Sequence, residues 1–177
     1  MVKTTVWTVI FSMVAAILQS TLLYRLAIYA EGIAGFKAGG VVPDLALGII
    51  VYSAYVNGAM SGQLSGFFGG ILYDFLSEAP LGLNALIRTL VGALAGIMKG
   101  TFFLDSFFLP MILCAAATLF KAAGLFILHL LFSGAVHAYS LMAPTLWVEL
   151  ILNILSAPLL FALLKRFKPL LAGRSEG

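Results

Sequence analysis

The feature that most constrains this chain is a succession of apolar runs, most of them close to the length of a membrane-spanning helix, separated by short connections. A helix needs about 20 apolar residues to cross the hydrocarbon core of a bilayer. The residues are 62% hydrophobic and only 10% charged, so the chain lacks the polar side chains that would cover a water-exposed surface. The sequence therefore predicts an all-α integral membrane protein.

The runs predict a compact bundle of six transmembrane helices in one transmembrane domain, residues 1–177. The predicted helices cover residues 4–24, 41–57, 61–76, 84–100, 107–132 and 144–164. The second and third are short for full spans, so they either stop below the membrane surface or form a re-entrant pair buried within the bundle. Pro43 and Asp44 suit the start of the second helix, because proline needs no amide partner there and a carboxylate complements the helix dipole.

Basic residues near the predicted helix ends indicate the orientation of the bundle. With six spans both termini lie on one side, and that side carries Lys3, Lys99, Lys165, Arg166, Lys168 and Arg174. Only Arg25 and Lys37 fall in loops on the other side. Because cytoplasmic loops carry the excess of Lys and Arg, both termini are predicted to be cytoplasmic, in a multi-pass protein of the bacterial inner membrane.

Two neighbouring helices carry glycine at every fourth position. The third presents Gly62, Gly66 and Gly70 on one face, and the fourth presents Gly92, Gly96 and Gly100. Such stripes let two backbones approach closely, which drives helix association in lipid. We predict an antiparallel hairpin in which Gly70 lies level with Gly92, Gly66 with Gly96 and Gly62 with Gly100.

The same alignment brings Asp74 and Arg88 together at the outer end of the hairpin. A charge left alone at membrane depth costs at least about 2.5–3.5 kcal/mol, so we predict a structural ion pair between them. Asp44, Glu78, Glu149 and His129 project to the same outer half and form a possible outer polar cluster. Lys121 falls nearer the middle of the fifth helix, where it either snorkels or reaches Glu149.

Motifs for catalysis, cofactors or metals are not found. There is no HExxH, P-loop, GxSxG or GxGD pattern, and the single cysteine, Cys114, excludes a CxxC site. An aspartyl-protease dyad must share a proton, whereas an arginine partner would keep Asp74 ionised. The sequence therefore predicts a non-enzymatic protein without cofactor or metal.

Three stretches carry a resemblance to a known family. The run Pro43-Asp44-Leu45 is followed by residues 66–77, GFFGGILYDFLS, and residues 80–86, PLGLNAL. Together they resemble the rod shape-determining protein MreD family over about residues 43–100. The positions that match its motif are Pro43, Asp44, Gly66, Gly70, Asp74, Pro80, Gly82 and Asn84.

This resemblance implies a membrane scaffold of the cell-elongation machinery. Such a scaffold would associate with MreC, and through it with MreB filaments and the RodA–PBP2 peptidoglycan synthase, to support wall synthesis and cell shape. Small six-helix membrane proteins also resemble the substrate-binding subunits of energy-coupling-factor vitamin transporters. In that alternative Asp44, Arg88 and Glu149 would contact a captured ligand.

Overall fold

The computed structural model describes residues 2–34, 40–77, 79–100, 107–132 and 141–171, and every regular element in these ranges is helical. Lys37, Glu78 and Arg174 lie outside the described residues. A π-helical turn, Gln19–Leu23, joins the first two helices without a break. The helices are α1 Val2–Leu18, α2 Tyr24–Ala34, α3 Leu45–Asn57, α4 Ala59–Leu76, α5 Leu83–Ile97, α6 Phe108–Leu131, α7 Pro144–Arg166 and α8 Lys168–Leu171.

The first helical segment is longer than the sequence predicted. We expected a loop from residue 25, but α2 continues through Arg25 to Ala34. Leucine, alanine and arginine at the start of this segment are good helix formers, and no proline interrupts it. The charge on Arg25 is therefore carried on a helix instead of marking its end.

Helix α3 lies at the centre of the bundle. Every residue from Ala46 to Tyr55 is buried, and the helix packs against α1, α4, α5, α6 and α7. Its 13 residues extend only about 20 Å, less than the roughly 30 Å of a hydrocarbon core. Because neighbouring helices surround α3, its short length leaves little backbone to face lipid.

The start of the first helix and the end of the last lie at the same end of the bundle. The rings of Phe11 in α1 and Phe167 after α7 are 5.6 Å apart. Asn57 at the end of α3 donates to the carbonyl oxygen of Leu171 in α8 at 2.7 Å. The end opposite to these contacts holds the start of α3 and the turn between α4 and α5.

The outside of the bundle is strongly apolar. Among the described residues, three helical segments are long and apolar enough to cross a membrane: Lys3–Tyr29, Phe108–Leu131 and Pro144–Arg166. Shorter apolar helices are Leu45–Asn57 and Leu83–Ile97. On α7 an exposed stripe recurs at every fourth residue: Trp147, Ile151, Leu155, Leu159 and Leu163. The composition and the helix lengths together indicate a membrane protein.

Helices α4 and α5 form the most extensive helix pair, and they touch through backbone. A methyl group added at Gly62 would lie 2.5 Å from the carbonyl oxygen of Gly92. One added at Gly70 would lie 2.5 Å from the Cα of Ala85, and Gly96 faces the backbone of Ala59. No side chain larger than hydrogen fits at these positions without moving a helix.

The register of this hairpin differs from the predicted one. Gly62 faces Gly92 instead of Gly100, a displacement of about 12 Å along α5 at 1.5 Å per residue. Gly100 lies beyond the end of α5 with φ +77°, and no described residue lies within 4 Å of its Cβ position. Glycine at every fourth residue repeats itself after each turn, so the stripes alone do not distinguish one register from the next.

Candidate functional site: a buried charge network beside a cavity

Asp44 is the centre of a buried charge network. It is the N-cap of α3, where Oδ1 accepts a hydrogen bond from the Leu47 amide at 3.0 Å. The residue is only 4% exposed. The carboxylate at the positive end of the helix agrees with the sequence prediction, but α3 begins at Leu45, so Pro43 lies before the cap and not in the first turn.

Arg88 of α5 binds this carboxylate with both terminal nitrogens. Nη1 lies 3.1 Å from Oδ1 of Asp44 and Nη2 lies 2.9 Å from Oδ2, a bidentate arrangement. The guanidinium also lies 4.6 Å from the centre of the Tyr73 ring, a cation–π contact from α4. Arg88 is 1% exposed, so its charge depends on these partners.

Lys121 of α6 connects a second carboxylate to the network. Its Nζ donates to Oδ2 of Asp44 at 3.0 Å and also pairs with Oε1 of Glu149 on α7. Two carboxylates thus balance two cations, and the four side chains come from the start of α3 and from three further helices. Breaking a buried pair by removing one partner costs about 3–5 kcal/mol, so this network strongly couples the helices that carry it.

Neutral groups extend the network toward the middle of the bundle. Asn153 of α7 accepts from the backbone amide of Asp44 at 2.6 Å and donates to the Thr118 hydroxyl at 2.8 Å. Thr118 in turn donates to the carbonyl oxygen of Cys114. This chain of hydrogen bonds satisfies buried polar groups that water does not reach.

Asp74 requires a correction, because it does not pair with Arg88. Its Oδ2 accepts from the amides of Gly82 and Ala85 at 2.9 and 3.3 Å, and its Oδ1 accepts from the amide and the side chain of Asn84 at 3.0 and 2.9 Å. These amides are the unpaired donors at the start of α5, whose N-cap, Gly82, has no side chain to serve them. Asp74 is thus a cap supplied by the preceding helix.

The outer polar cluster is brought together in part. Asp44 and Glu149 join the network, while Glu78 lies outside the described residues. The Thr118–Asn153 and Lys121–Glu149 contacts show how α6 lies against α7. In that alignment His129, about 12 Å farther along α6, lies level with the start of α7 and not with Glu149.

A cavity of about 620 Å³ adjoins the network. Lys121, Glu149 and Tyr73 form one part of its wall, and Gln19, Ser20 and Tyr24 of the first helical segment form another. The rest of the lining is Gly40, Val41, Val42, Leu76, Ser77, Thr145 and Leu146. Arg88 is not part of the lining. The cavity therefore meets the network at its less buried end.

The sequence signals for two network members were weak. Lys121 is a lone basic residue in an apolar helix. Its position along that helix allowed either snorkelling to the membrane surface or pairing with Glu149. Asn153 is a single amide in another apolar helix. A buried polar residue needs a partner, so each one marks a contact, but neither indicates which helix supplies it.

These features together define a helical membrane protein in which the charges of Asp44, Arg88, Lys121 and Glu149 neutralise one another. Residues 1–167 of the 177 match the family described as rod shape-determining protein MreD, and the chain belongs to that family. The match confirms the resemblance found in the sequence and implies a role in rod-shape determination. No curated protein and no solved structure matches the chain.

Proposed function

We propose that this protein is a non-enzymatic, multi-pass scaffold of the bacterial inner membrane, with both termini in the cytoplasm. It supports peptidoglycan synthesis and rod shape through contacts with MreC and the RodA–PBP2 synthase, and it reaches MreB indirectly. The observation that carries the proposal is the family match over residues 1–167. It favours a scaffold over a subunit of a vitamin transporter.

The charge network supports a structural role for the buried polar residues. Asp44 binds two cations and caps a helix, and Lys121 binds two carboxylates. A group held in this way is a poor general base or nucleophile, since it would have to leave its partners first. The network instead fixes the relative positions of α3, α5, α6 and α7, and a fixed exterior is what a docking partner requires.

A groove between α5 and α6 is the surface that we assign to a partner's transmembrane helix. It encloses about 220 Å³, and its lining is almost entirely apolar. Ala95, Ala116 and Ala117 keep it open, and Leu94 and Phe120 also line it. Small residues at a helix interface in lipid allow close approach, because packing and not the hydrophobic effect drives association there.

Affinity purification in mild detergent tests the function. MreC and the synthase are expected to copurify with the wild-type protein, and loss of the protein is expected to abolish rod shape. A vitamin-transporter subunit would instead retain a small vitamin and leave cell shape unchanged. Recovery of that ligand without MreC would refute the scaffold.

The groove has a matched pair of variants. Ala116→Phe fills the groove and is expected to reduce copurification of MreC at least about tenfold, as a loss of about 1.4 kcal/mol in binding would. Ala162→Phe places the same ring on the exposed surface of α7 and is expected to change nothing. Both proteins must accumulate at the wild-type level. Equal copurification with the two variants would exclude the groove as the docking surface.

A further inference from the structure

One buried polar atom of a residue that lines the cavity has no partner in the described part of the chain. Gln19 is 5% exposed, and its Oε1 accepts no hydrogen bond there. It lines the cavity that also contains Lys121 and Glu149. A buried acceptor without a donor is destabilising, so a ligand that brings an N–H group would relieve it.

The backbone around Gln19 is also unusual. Gln19 is the first residue of the π-helical turn Gln19–Leu23, within an otherwise α-helical segment. Single π-helical turns inside α-helices are frequently found at functional sites. The local backbone and the unpaired amide oxygen therefore point to the same place.

The charged groups of the cavity wall have unused hydrogen-bonding capacity of both signs. An ammonium has three N–H donors. Lys121 uses one for Asp44 and one for Glu149, so one donor remains. The second carboxylate oxygen of Glu149 accepts nothing from the described residues, while Oε1 takes Lys121. Ser77 and Thr145 add hydroxyl donors to the same wall. The cavity thus offers acceptors for a cation and donors for an anion.

We propose that this cavity binds the zwitterionic headgroup of a phospholipid with a primary ammonium and a phosphate. The ammonium donates to Gln19 Oε1 and to Glu149, and the phosphate accepts from Lys121 and the wall hydroxyls. The cavity volume, about 620 Å³, lies within the roughly 300–1,000 Å³ of small-molecule sites. Leu76, which lines the cavity, and Leu22 and Leu26 on the first helical segment are exposed and provide apolar surface for acyl chains.

The test uses three lipids with identical acyl chains, titrated onto the purified full-length protein in detergent while its thermal unfolding is followed. Phosphatidylethanolamine offers N–H donors, phosphatidylcholine has the same charges without N–H, and phosphatidylglycerol lacks the cation. Phosphatidylethanolamine is expected to stabilise the protein at a concentration at least about tenfold lower than phosphatidylcholine, the effect of one charge-assisted hydrogen bond. Phosphatidylglycerol is expected to be weaker than phosphatidylethanolamine as well.

Gln19→Leu is the decisive variant, because it removes the acceptor and also the unpaired polar group, so folding is not compromised. It is expected to reduce the preference for phosphatidylethanolamine over phosphatidylcholine at least about threefold, the effect of one hydrogen bond to a neutral acceptor, while the contact with Glu149 keeps the remainder. Gln63→Leu makes the same change on α4 outside the cavity lining and is expected to keep the tenfold preference.

Two results would overturn the proposal. One is equal stabilisation of the wild-type protein by phosphatidylethanolamine and phosphatidylcholine, and the other is an unchanged preference in Gln19→Leu. A further titration with free phosphoethanolamine distinguishes binding of a membrane lipid from binding of a soluble molecule with the same headgroup. If it stabilises the protein as strongly as the lipid, the assignment to a membrane lipid is wrong.

Discussion

Neutralising Asp44 without changing its shape removes one charge from the network. Asp44→Asn keeps the N-cap, since asparagine caps helices as well as aspartate. The buried group then contains the cations of Arg88 and Lys121 but only the carboxylate of Glu149. Removing one partner of a buried pair costs about 3–5 kcal/mol, and a chain of this length shifts by about 2–4 °C per kcal/mol, so we expect unfolding about 6–20 °C lower.

The chain contains its own reporter for this measurement. Cys114 is the single cysteine and is 4% exposed in the core, so a thiol-reactive dye labels it as the purified protein unfolds. A compensating variant separates charge from packing. Adding Arg88→Met to Asp44→Asn leaves Lys121 and Glu149 as a balanced pair and is expected to restore most of the stability. The reasoning is refuted if Asp44→Asn unfolds within about 3 °C of the wild type, or if the double variant is less stable than the single one.

Three further predictions use the same unfolding assay. Gly66→Ala is expected to lower the free energy of unfolding by about 1–3 kcal/mol, because the methyl group would meet the backbone of α5. In Gly124→Ala the methyl group meets only a side chain at 3.5 Å, so this control is expected to be as stable as the wild type or more stable. Equal shifts in the two variants would contradict the backbone contact. Asp74→Ala is expected to lose about 2–3 kcal/mol as the amides of α5 lose their acceptor, and exchanging the charges of Asp74 and Arg88 is not expected to restore stability. Asn153→Leu leaves a buried amide unpaired and is expected to lose about 1–3 kcal/mol.

The sequence predicts the long outer helices well. The predicted spans 107–132 and 144–164 differ from α6 and α7 by no more than about two residues at each end. Each of these helices faces lipid on one side, so a sustained apolar run is required of it. The predicted start of α3, residue 41, is four residues too early, but Asp44 was correctly expected at the helix start, because its carboxylate acts locally on the amides that follow. Signals that act within one turn of helix are visible in the sequence.

Contacts between distant segments were harder to predict. The sequence placed Asp44 and Arg88 in the same outer half but paired Arg88 with Asp74, the nearer residue along the chain. Aligning a hairpin compares only the two helices that one turn connects. The carboxylate that binds Arg88 comes instead from the start of α3, the central helix of the bundle. The glycine stripes did not correct the error, because they fit equally well after a shift of whole turns.

Counting charges together with helix caps would have assigned the partners correctly. The outer and middle parts of α3 to α7, with the N-cap of α3, contain three acids, Asp44, Asp74 and Glu149, but two bases, Arg88 and Lys121. One carboxylate must therefore be served by neutral donors. Helix α5 begins after a glycine, and its first amides lack a side-chain acceptor at the cap, while Asp74 lies at the end of the helix just before it. The acid nearest to uncapped amides is the one that the cations do not need, which leaves Arg88 and Lys121 to share Asp44 and Glu149.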